Sequence, residues 1–233
     1  MRDFDNIFAD AAARHGGAAA LDAKLTETKA LSVEAQAKVP DDRILSQMAR
    51  HIFQSGFSWS VIDKKWPGFE RAFDGFDPAA NAVMSDETFD ALLKNADIVR
   101  NGAKIRSVAL NAKFLVDLAA EHGSAAQFFA AWPGNDFQGL LDYLKKHGDR
   151  LGGHTGARVM RAIGRPAYVL TESVVAALMQ EGIVTGTPTA KRDLAAVQAA
   201  FNAWSAESGR DLTAISRTLA MSTGPIYADH APM

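Results

Sequence analysis

The sequence predicts an all-α fold, and three observations favour it. Alanine is abundant along the 233 residues, and runs of β-branched residues are short. No segment alternates apolar and polar residues over more than a few positions, as a half-buried strand would. Hydrophobic residues make up 48 % and charged residues 22 % of the chain, which is ordinary for a globular protein with a sizeable core.

Apolar spacing and helix-capping residues predict the helices in order. The run 102–122 has the cleanest periodicity, so we expect a central core helix that Gly123 ends. Ser85 and Asp211 are expected to cap the helices that follow them, and the tail after Gly224 is expected to be loose. Seven helices are predicted over 2–14, 18–38, 58–65, 67–75, 102–122, 172–181 and 190–207. One more begins at Pro40, one follows Ser85, and one ends at Lys146. Two others run from Ser124 through Trp132 and from Asp211 to near Met221.

Charge and residue composition limit the function classes. With 25 basic and 27 acidic residues the formal charge is −2, so nucleic-acid binding would need a local basic patch. The absence of cysteine excludes a disulfide, a thiol nucleophile and a thiolate metal site. Because the sequence shows no signal peptide and no apolar run long enough to cross a bilayer, we expect a soluble cytoplasmic protein without membrane contact.

The stretch 48–78 is unusually rich in aromatic residues and glycine. It holds five Phe, two Trp and three Gly. Phe53, Phe57 and Trp59 crowd around Gly56, which is expected to end a helix, whereas a core helix spreads its aromatics at three- and four-residue spacing. This arrangement predicts the wall of a pocket in which a flat ligand stacks. The alternative is that Trp59 fills the core.

Three short blocks follow one another from residue 56 onward. They are Gly56-Phe-Ser-Trp59, Phe73-Asp-Gly-Phe-Asp-Pro78 and Asp97-Ile-Val-Arg-Asn-Gly-Ala-Lys-Ile-Arg-Ser-Val-Ala-Leu-Asn-Ala112. In order and spacing they resemble the DNA-3-methyladenine glycosylase I family. The resemblance implies a helix-hairpin-helix DNA glycosylase-like helical fold. It divides the chain into an N-terminal helical segment (1–40), a glycosylase-like core (41–182) and a C-terminal helical extension (183–233).

A glycine-rich hairpin lies at 151–156. Its sequence, Leu151-Gly-Gly-His-Thr-Gly156, resembles the helix-hairpin-helix element of base-excision glycosylases. Glycines permit positive φ and turn backbone N–H groups outward, and the next helix adds the positive end of its dipole. We therefore expect Gly153, Thr155 and Gly156 to bind a DNA phosphate through their N–H groups. The alternative is a simple turn between two helices.

Basic residues on both sides of the hairpin are candidate phosphate contacts. Lys104 and Arg158 are the predicted DNA-binding pair, because local cations add salt-dependent affinity for phosphates. The wider set consists of Arg100, Lys104, Arg106, Arg158, Arg161 and Arg165.

The resemblance implies a base pocket at Trp59, with Phe53 and Phe57 beside it as substrate-binding residues. In the family this tryptophan lies in the base pocket, and an indole face attracts a cationic base such as 3-methyladenine. The acidic pocket residue of the family lies eight positions earlier, where this chain has His51. A neutral imidazole accepts a hydrogen bond and a titrating one acts as acid or base, so His51 is the candidate catalytic residue. The alternative for His51 is a structural role.

Other family features are missing or changed. The family's zinc site needs two cysteines, which this chain lacks, so no metal is expected. Where the wider superfamily has a catalytic aspartate, the run Val169-Leu-Thr-Glu-Ser173 offers Thr171 and Glu172, and Glu172 is expected to cap its helix. The catalytic lysine of bifunctional enzymes would fall near Ala157, so Schiff-base lyase chemistry is not expected.

The predicted function is a monofunctional DNA repair glycosylase that flips an alkylated purine, 3-methyladenine, from double-stranded DNA. It would hydrolyse the N-glycosidic bond without a cofactor, and no protein partner is predicted. Such a purine is a cation that leaves as a neutral base, so positioning, desolvation and stacking suffice to let water attack the sugar. Three alternatives stay open: a catalytically silent relative that binds damaged DNA, a glycosylase for another lesion, and a helical scaffold whose hairpin meets protein.

Overall fold

The computed structural model describes residues 1–28 and 30–225. This described part consists of fourteen α-helices and one 3-10 turn and contains no β-strand, which confirms the all-α prediction. No helix in these two ranges is both long and apolar enough to span a bilayer. Most of the tail that is predicted to be loose, 226–233, lies outside the described residues.

The longest described helix lies in the middle of the chain. Seven helices precede it: α1 (Phe4–Arg14), α2 (Ala18–Thr26), α3 (Val33–Gln36), α4 (Asp41–Gln54), α5 (Trp59–Ala72), α6 (Pro78–Ala82) and α7 (Asp86–Lys94), with the 3-10 turn Asp74–Phe76 between α5 and α6. The others are α8 (Gly102–His122), α9 (Ala125–Ala131), α10 (Phe137–His147), α11 (His154–Ala162), α12 (Glu172–Gln180), α13 (Lys191–Ser208) and α14 (Leu212–Thr223). α8 has the bounds predicted for the core helix.

Side-chain caps fix where several helices begin. Ser85 Oγ accepts a backbone N–H of α7 at 3.2 Å, and Asp211 Oδ1 accepts one of α14 at 2.8 Å, so both predicted caps are confirmed. α12 begins differently, because Thr171 and not Glu172 is its capping residue. Each bond satisfies an N–H group that the first helical turn leaves unpaired.

Two predicted helix bounds are wrong. The single helix expected over 18–38 is two helices, and Ser32 marks the second start by capping α3. Pro67, expected to open a helix, lies inside α5. Ile62 and Phe69 lie two turns apart on one face of that helix and are completely buried. Their burial keeps α5 continuous although Pro67 cannot donate a backbone hydrogen bond.

The described residues of Met1–Ala30, Pro133–Gly139 and Pro166–Met233 form one compact unit. In this unit α1 and α12 both pack on α14. Tyr168 is completely buried, and its hydroxyl donates to Gln198 Oε1 at 3.1 Å. The buried hydroxyl is therefore paired, as polar groups in protein cores are.

A second unit comprises Leu31–Trp132 and Leu140–Arg165. In it α4, α6 and α9 pack against α8, and α11 packs against α4. Because α11 directly follows the hairpin at 151–156, this last contact brings the hairpin helix to the helix that carries His51. All the predicted site residues lie in this second unit.

Aromatic rings of α5 and the following turn form a stack in the second unit. Trp66 lies 5.1 Å from Phe69 and 5.4 Å from Phe76, and Phe76 lies 5.4 Å from Phe73, all with nearly parallel rings. Phe53 meets the Phe69 ring edge-on at 4.6 Å. The three phenylalanines of the stack are at most 2 % exposed, so most rings of the aromatic stretch build the core.

Candidate functional site

One buried lysine fixes the turn between α4 and α5. Gly56 has φ +75°, a left-handed conformation that favours glycine and lets the chain turn sharply. The Lys104 ammonium, on α8, donates to the Phe53 carbonyl at 3.2 Å and to the Ser55 carbonyl. It also lies 4.6 Å from the centre of the Phe57 ring. Lys104 is only 7 % exposed, so its ammonium is bound within this turn. The predicted DNA contact would require the ammonium to face solvent.

The turn presents two aromatic side chains to solvent. Trp59, the first residue of α5, is 46 % exposed, and Phe57 is 41 % exposed. This exposure excludes the alternative that Trp59 fills the core. Phe53 is expected beside them but is completely buried, because it lies on the core face of α4 against the aromatic stack. The structure therefore offers Trp59 and Phe57 to a ligand, and assigns Phe53 to the core.

His51 lies on α4 beside the exposed indole. Its ring is roughly edge-on to Trp59, with 6.4 Å between ring centroids. Both ring nitrogens are buried, and neither reaches hydrogen-bond geometry with a group in residues 1–28 and 30–225, although the Gln54 side chain lies beside the ring and favours its charged form. Burial and the positive charge of Arg158 lower the pKa of His51 to about 4. The imidazole is therefore neutral at pH 7, with one N–H donor and one acceptor nitrogen, both buried in the free protein.

Arg158, on α11, covers the exposed indole. Its guanidinium carbon is 4.8 Å from the centre of the Trp59 ring, within the range of a cation–π contact. It makes no ion pair or hydrogen bond with any described residue. Arg50, which also acts on the pKa of His51, is instead bonded to Asp63 at 2.7 Å. The site therefore carries one guanidinium that lacks a carboxylate partner in the described chain.

The hairpin between α10 and α11 has the glycine geometry that its sequence predicts. Gly153 is exposed with φ +58°, and Gly156 is buried. The N–H groups of these two glycines have no acceptor among the described residues. The N–H of Thr155 donates to the Gly152 carbonyl at 3.3 Å. Two of the three predicted phosphate donors thus lack an acceptor in the described chain, of which only Gly153 is exposed, while Thr155 is engaged in the turn.

Asn111, on α8, binds the chain just before the hairpin, and the sequence analysis did not single it out as a site residue. Its Oδ1 accepts the N–H of Asp149 at 2.8 Å, and its Nδ2 donates to the Asp149 carbonyl at 3.0 Å. The side chain is completely buried, so these two bonds satisfy amide groups that solvent does not reach. The available signal was the Asn-Ala pair that closes the block Asp97–Ala112.

Gly156→Ala is expected to lower the free energy of unfolding by about 2–3 kcal/mol. A Cβ at this position would lie 2.5 Å from the Leu151 carbonyl oxygen, so the hairpin backbone must shift. Gly152→Ala is the matched control and should stay near wild type, since its Cβ meets only the Lys145 side chain, with Cγ at 3.4 Å and Cδ at 3.8 Å. Urea denaturation measures both variants, and equal stability of the two would contradict the close packing at Gly156.

The free energy of unfolding is expected to fall by about 2 kcal/mol between pH 7 and pH 5 because of His51. Its pKa is 6.5 in the unfolded chain and about 4 in the folded protein. The unfolded state therefore binds more protons across this window, and stability decreases as the pH falls from 6.5 towards 4.

The variant His51→Gln is expected to lose this part of the pH dependence. Urea denaturation at pH 7 and at pH 5 gives the difference for each protein. His154→Gln replaces an exposed histidine of α11 and should keep the wild-type decrease. An undiminished decrease in His51→Gln would mean that the His51 ring is protonated as easily in the folded protein as in the unfolded chain.

The turn and the two exposed aromatics lie within a segment that has recognisable relatives. Residues 35–147 match the methyladenine glycosylase family. Over this segment, just under half of its length, the chain is similar to that family. The family match includes His51, Phe57 and Trp59 and ends with the last residue of α10, so the hairpin and Arg158 lie beyond it.

Curated relatives from this family align with a short part of the chain. DNA-3-methyladenine glycosylase of Haemophilus influenzae is 37 % identical over 60 residues, which are 26 % of this chain and 32 % of that protein. DNA-3-methyladenine glycosylase 1 of Escherichia coli (strain K12) is 35 % identical over 60 residues, with the same coverage. The chain therefore spans about a third of the length of these two relatives.

Solved structures of 3-methyladenine DNA glycosylase I are also similar to the chain. One, in complex with 3-methyladenine, has a TM-score of 0.48 and 22 % identity, over 54 % of this chain and 77 % of that chain. Another, from Staphylococcus aureus, has a TM-score of 0.47 and 23 % identity, over 53 % of this chain and 76 % of that chain.

Proposed function

We propose that this protein is a monofunctional DNA glycosylase that removes alkylated purines, 3-methyladenine first, from double-stranded DNA. The observation that carries the proposal is the exposed Trp59 indole beside the neutral, buried ring of His51. The match of residues 35–147 to the methyladenine glycosylase family supports the reaction class. The protein would flip the damaged nucleotide out of the duplex and hydrolyse its N-glycosidic bond with water alone.

Trp59 would supply the stacking surface for the flipped base. An enzyme that acts on a base must unstack it, at a cost of a few kcal/mol, and an aromatic wall offsets part of this cost. An alkylated purine in DNA carries a positive charge, and a cation over an indole gains about 1–2 kcal/mol when water is excluded. The exposed face of Trp59 therefore favours a charged alkylated purine over an undamaged neutral one.

His51 would orient the base or the attacking water. Because its pKa is about 4, the ring is neutral at pH 7 and acts as a hydrogen-bond partner, not as a general acid. No acid is needed, since the cationic purine leaves as a neutral base. The acceptor nitrogen can bind the exocyclic amino group of adenine, and the buried setting makes such a bond stronger than in water.

The hairpin would hold the DNA backbone next to the flipped nucleotide. The unpaired N–H groups of Gly153 and Gly156 offer donors without any side-chain charge. Arg158 adds a cation on the same helix, and its guanidinium is able to bind a phosphate with two parallel hydrogen bonds. Phosphate binding by backbone N–H groups and one arginine is compatible with a formal net charge of −2.

Base release from methylated duplex DNA tests this proposal. The purified protein is incubated with methylated and with unmethylated duplex, and the free bases are identified by chromatography. We expect 3-methyladenine from the methylated duplex only. If an established 3-methyladenine glycosylase releases the base under the same conditions and this protein releases none, the proposed activity is wrong.

One observation favours a second candidate, a silent relative that binds damaged DNA. The Arg158 guanidinium lies over Trp59, on the indole that a flipped base would need. If Arg158 stays there when DNA binds, the protein would recognise a distorted duplex without accepting its base. Tight binding to alkylated or abasic duplex, combined with no base release, would favour this second candidate.

A further inference from the structure

We propose that Arg158 expels the cleaved base from the site, an inference that rests on the proposed glycosylase function. Its guanidinium covers Trp59 in the free protein, yields this position to a cationic purine carried by DNA, and returns when cleavage has made the base neutral. Arg158 is thereby a specificity-determining residue that separates the damaged nucleotide in DNA from the free base.

Among the described residues Arg158 has one partner, the Trp59 ring. Its guanidinium carbon lies 4.8 Å from the Trp59 ring centre, and no carboxylate or carbonyl of the described residues binds it. Of the other charged groups that act on the neighbouring His51, Arg50 and Asp63 are bonded to each other at 2.7 Å. Nothing on the described part of the protein therefore draws Arg158 away from the indole.

The charge of the purine changes during the reaction. When the bond between C1′ and the purine nitrogen breaks, its electron pair stays on the purine, and the positive charge of the base disappears. The oxygen of water bonds to C1′, and the water proton passes to solvent. The free base loses the electrostatic part of its attraction to Trp59, while the guanidinium of Arg158 keeps its charge.

Bound DNA brings a new partner for Arg158, a backbone phosphate. A guanidinium binds a phosphate through charge-assisted hydrogen bonds that are stronger than its contact with an indole. Arg158 lies on the same short helix as the hairpin donors, so a bound backbone offers it an anion as the cationic base arrives. A free base carries no phosphate that could bind the guanidinium, so it must compete directly with Arg158 for the Trp59 ring.

Binding of free 3-methyladenine tests this role without requiring turnover. Its affinity is measured from the tryptophan fluorescence of the wild type and of Arg158→Gln, with Trp59→Phe identifying the contribution of the indole. We expect Arg158→Gln to bind the free base about tenfold more tightly than the wild type. Arg158→Lys, which keeps a charge but not the flat guanidinium, should lie between them.

Arg106→Gln is the matched control. Arg106 also lies over an aromatic ring of the second unit, 4.5 Å from the centre of Phe89, but it is away from the exposed indole. This variant should bind the free base as the wild type does. Equal affinity of the wild type and Arg158→Gln for the free base would overturn the proposal, and so would the same gain in Arg106→Gln.

Turnover separates this proposal from the proposed function. In Arg158→Gln, released 3-methyladenine should inhibit more strongly, and steady-state release should lag behind the first turnover. A variant that only binds DNA more weakly, with unchanged inhibition by the free base, would make Arg158 a phosphate contact and contradict the expulsion role. If the wild type releases no base but the tenfold difference in binding is retained, the glycosylase function is contradicted. Arg158 would then still be the group that covers the Trp59 ring.

Discussion

Trp59→Ala is expected to lower the release of 3-methyladenine from methylated duplex by about 10- to 100-fold. The indole is 46 % exposed at the start of α5, so its loss removes a stacking surface without opening a core cavity. Stacking and cation–π attraction both act on the flipped base, and both require the aromatic face. The single-turnover rate of base release, measured by chromatography, gives the size of the effect.

Val61→Ala controls for the loss of an exposed apolar side chain from the same helix. Val61 is 44 % exposed on α5, and the variant should release the base at the wild-type rate. Trp59→Phe keeps a smaller aromatic face and should recover part of the activity. The role of Trp59 would be contradicted if Trp59→Ala and Val61→Ala released the base equally fast.

Lys104→Met is expected to lower the free energy of unfolding by about 2–3 kcal/mol and also to reduce base release. The substitution keeps the length of the side chain but leaves the Phe53 and Ser55 carbonyls without their shared donor. Since these carbonyls lie in the turn that leads to Trp59, we expect the indole to lose its fixed position. Urea denaturation and the base-release assay measure the two effects.

Lys113→Met tests whether any lysine of α8 would behave in this way. Lys113 is exposed and pairs with Asp117 at 3.0 Å, an interaction between surface groups that contributes little. This control should stay close to the wild type in both assays. A similar loss of stability in the two variants would show that the turn does not depend on the Lys104 ammonium.

The helices and the exposed aromatics were largely predictable from the sequence. Ser85 and Asp211 mark helix starts because their side chains compete for unpaired N–H groups, which is a local property. The bounds of α8 follow from its apolar period and from Gly123. Phe57 and Trp59 crowd around Gly56 and lack the spacing of a buried helix face, which likewise indicates a turn.

Other features depend on contacts between distant parts of the chain. Lys104 is predicted to bind DNA because local cations add affinity for phosphates, but the Lys104 ammonium is buried and bonded to carbonyls at the end of α4. Phe53 is one residue of a cluster in the sequence, yet its helical position turns it to the core. The contact of Arg158 with Trp59 requires α11 to pack on α4, and no local pattern contains it.

The division of the chain at residues 40 and 182 stays a prediction, as do the roles of the site residues. The resemblance is carried by blocks between Gly56 and Ala112, and the family match ends at residue 147. The hairpin lies beyond that match, and its glycine geometry follows from the local sequence alone. The unpaired N–H groups of Gly153 and Gly156 make the hairpin the strongest candidate contact outside the matched segment.

The two tryptophans of α5 differ in their surroundings, because only one of them belongs to the aromatic stack. Trp66 is held between Phe69 and Phe76, and its Nε1 donates to Glu70 at 3.0 Å, whereas Trp59 is open to solvent. Iodide should therefore quench the emission of Trp59 well before that of Trp66. One helix thus carries two optical reporters, one for ligand arrival and one for core integrity, so that binding and unfolding can be followed separately in the same sample.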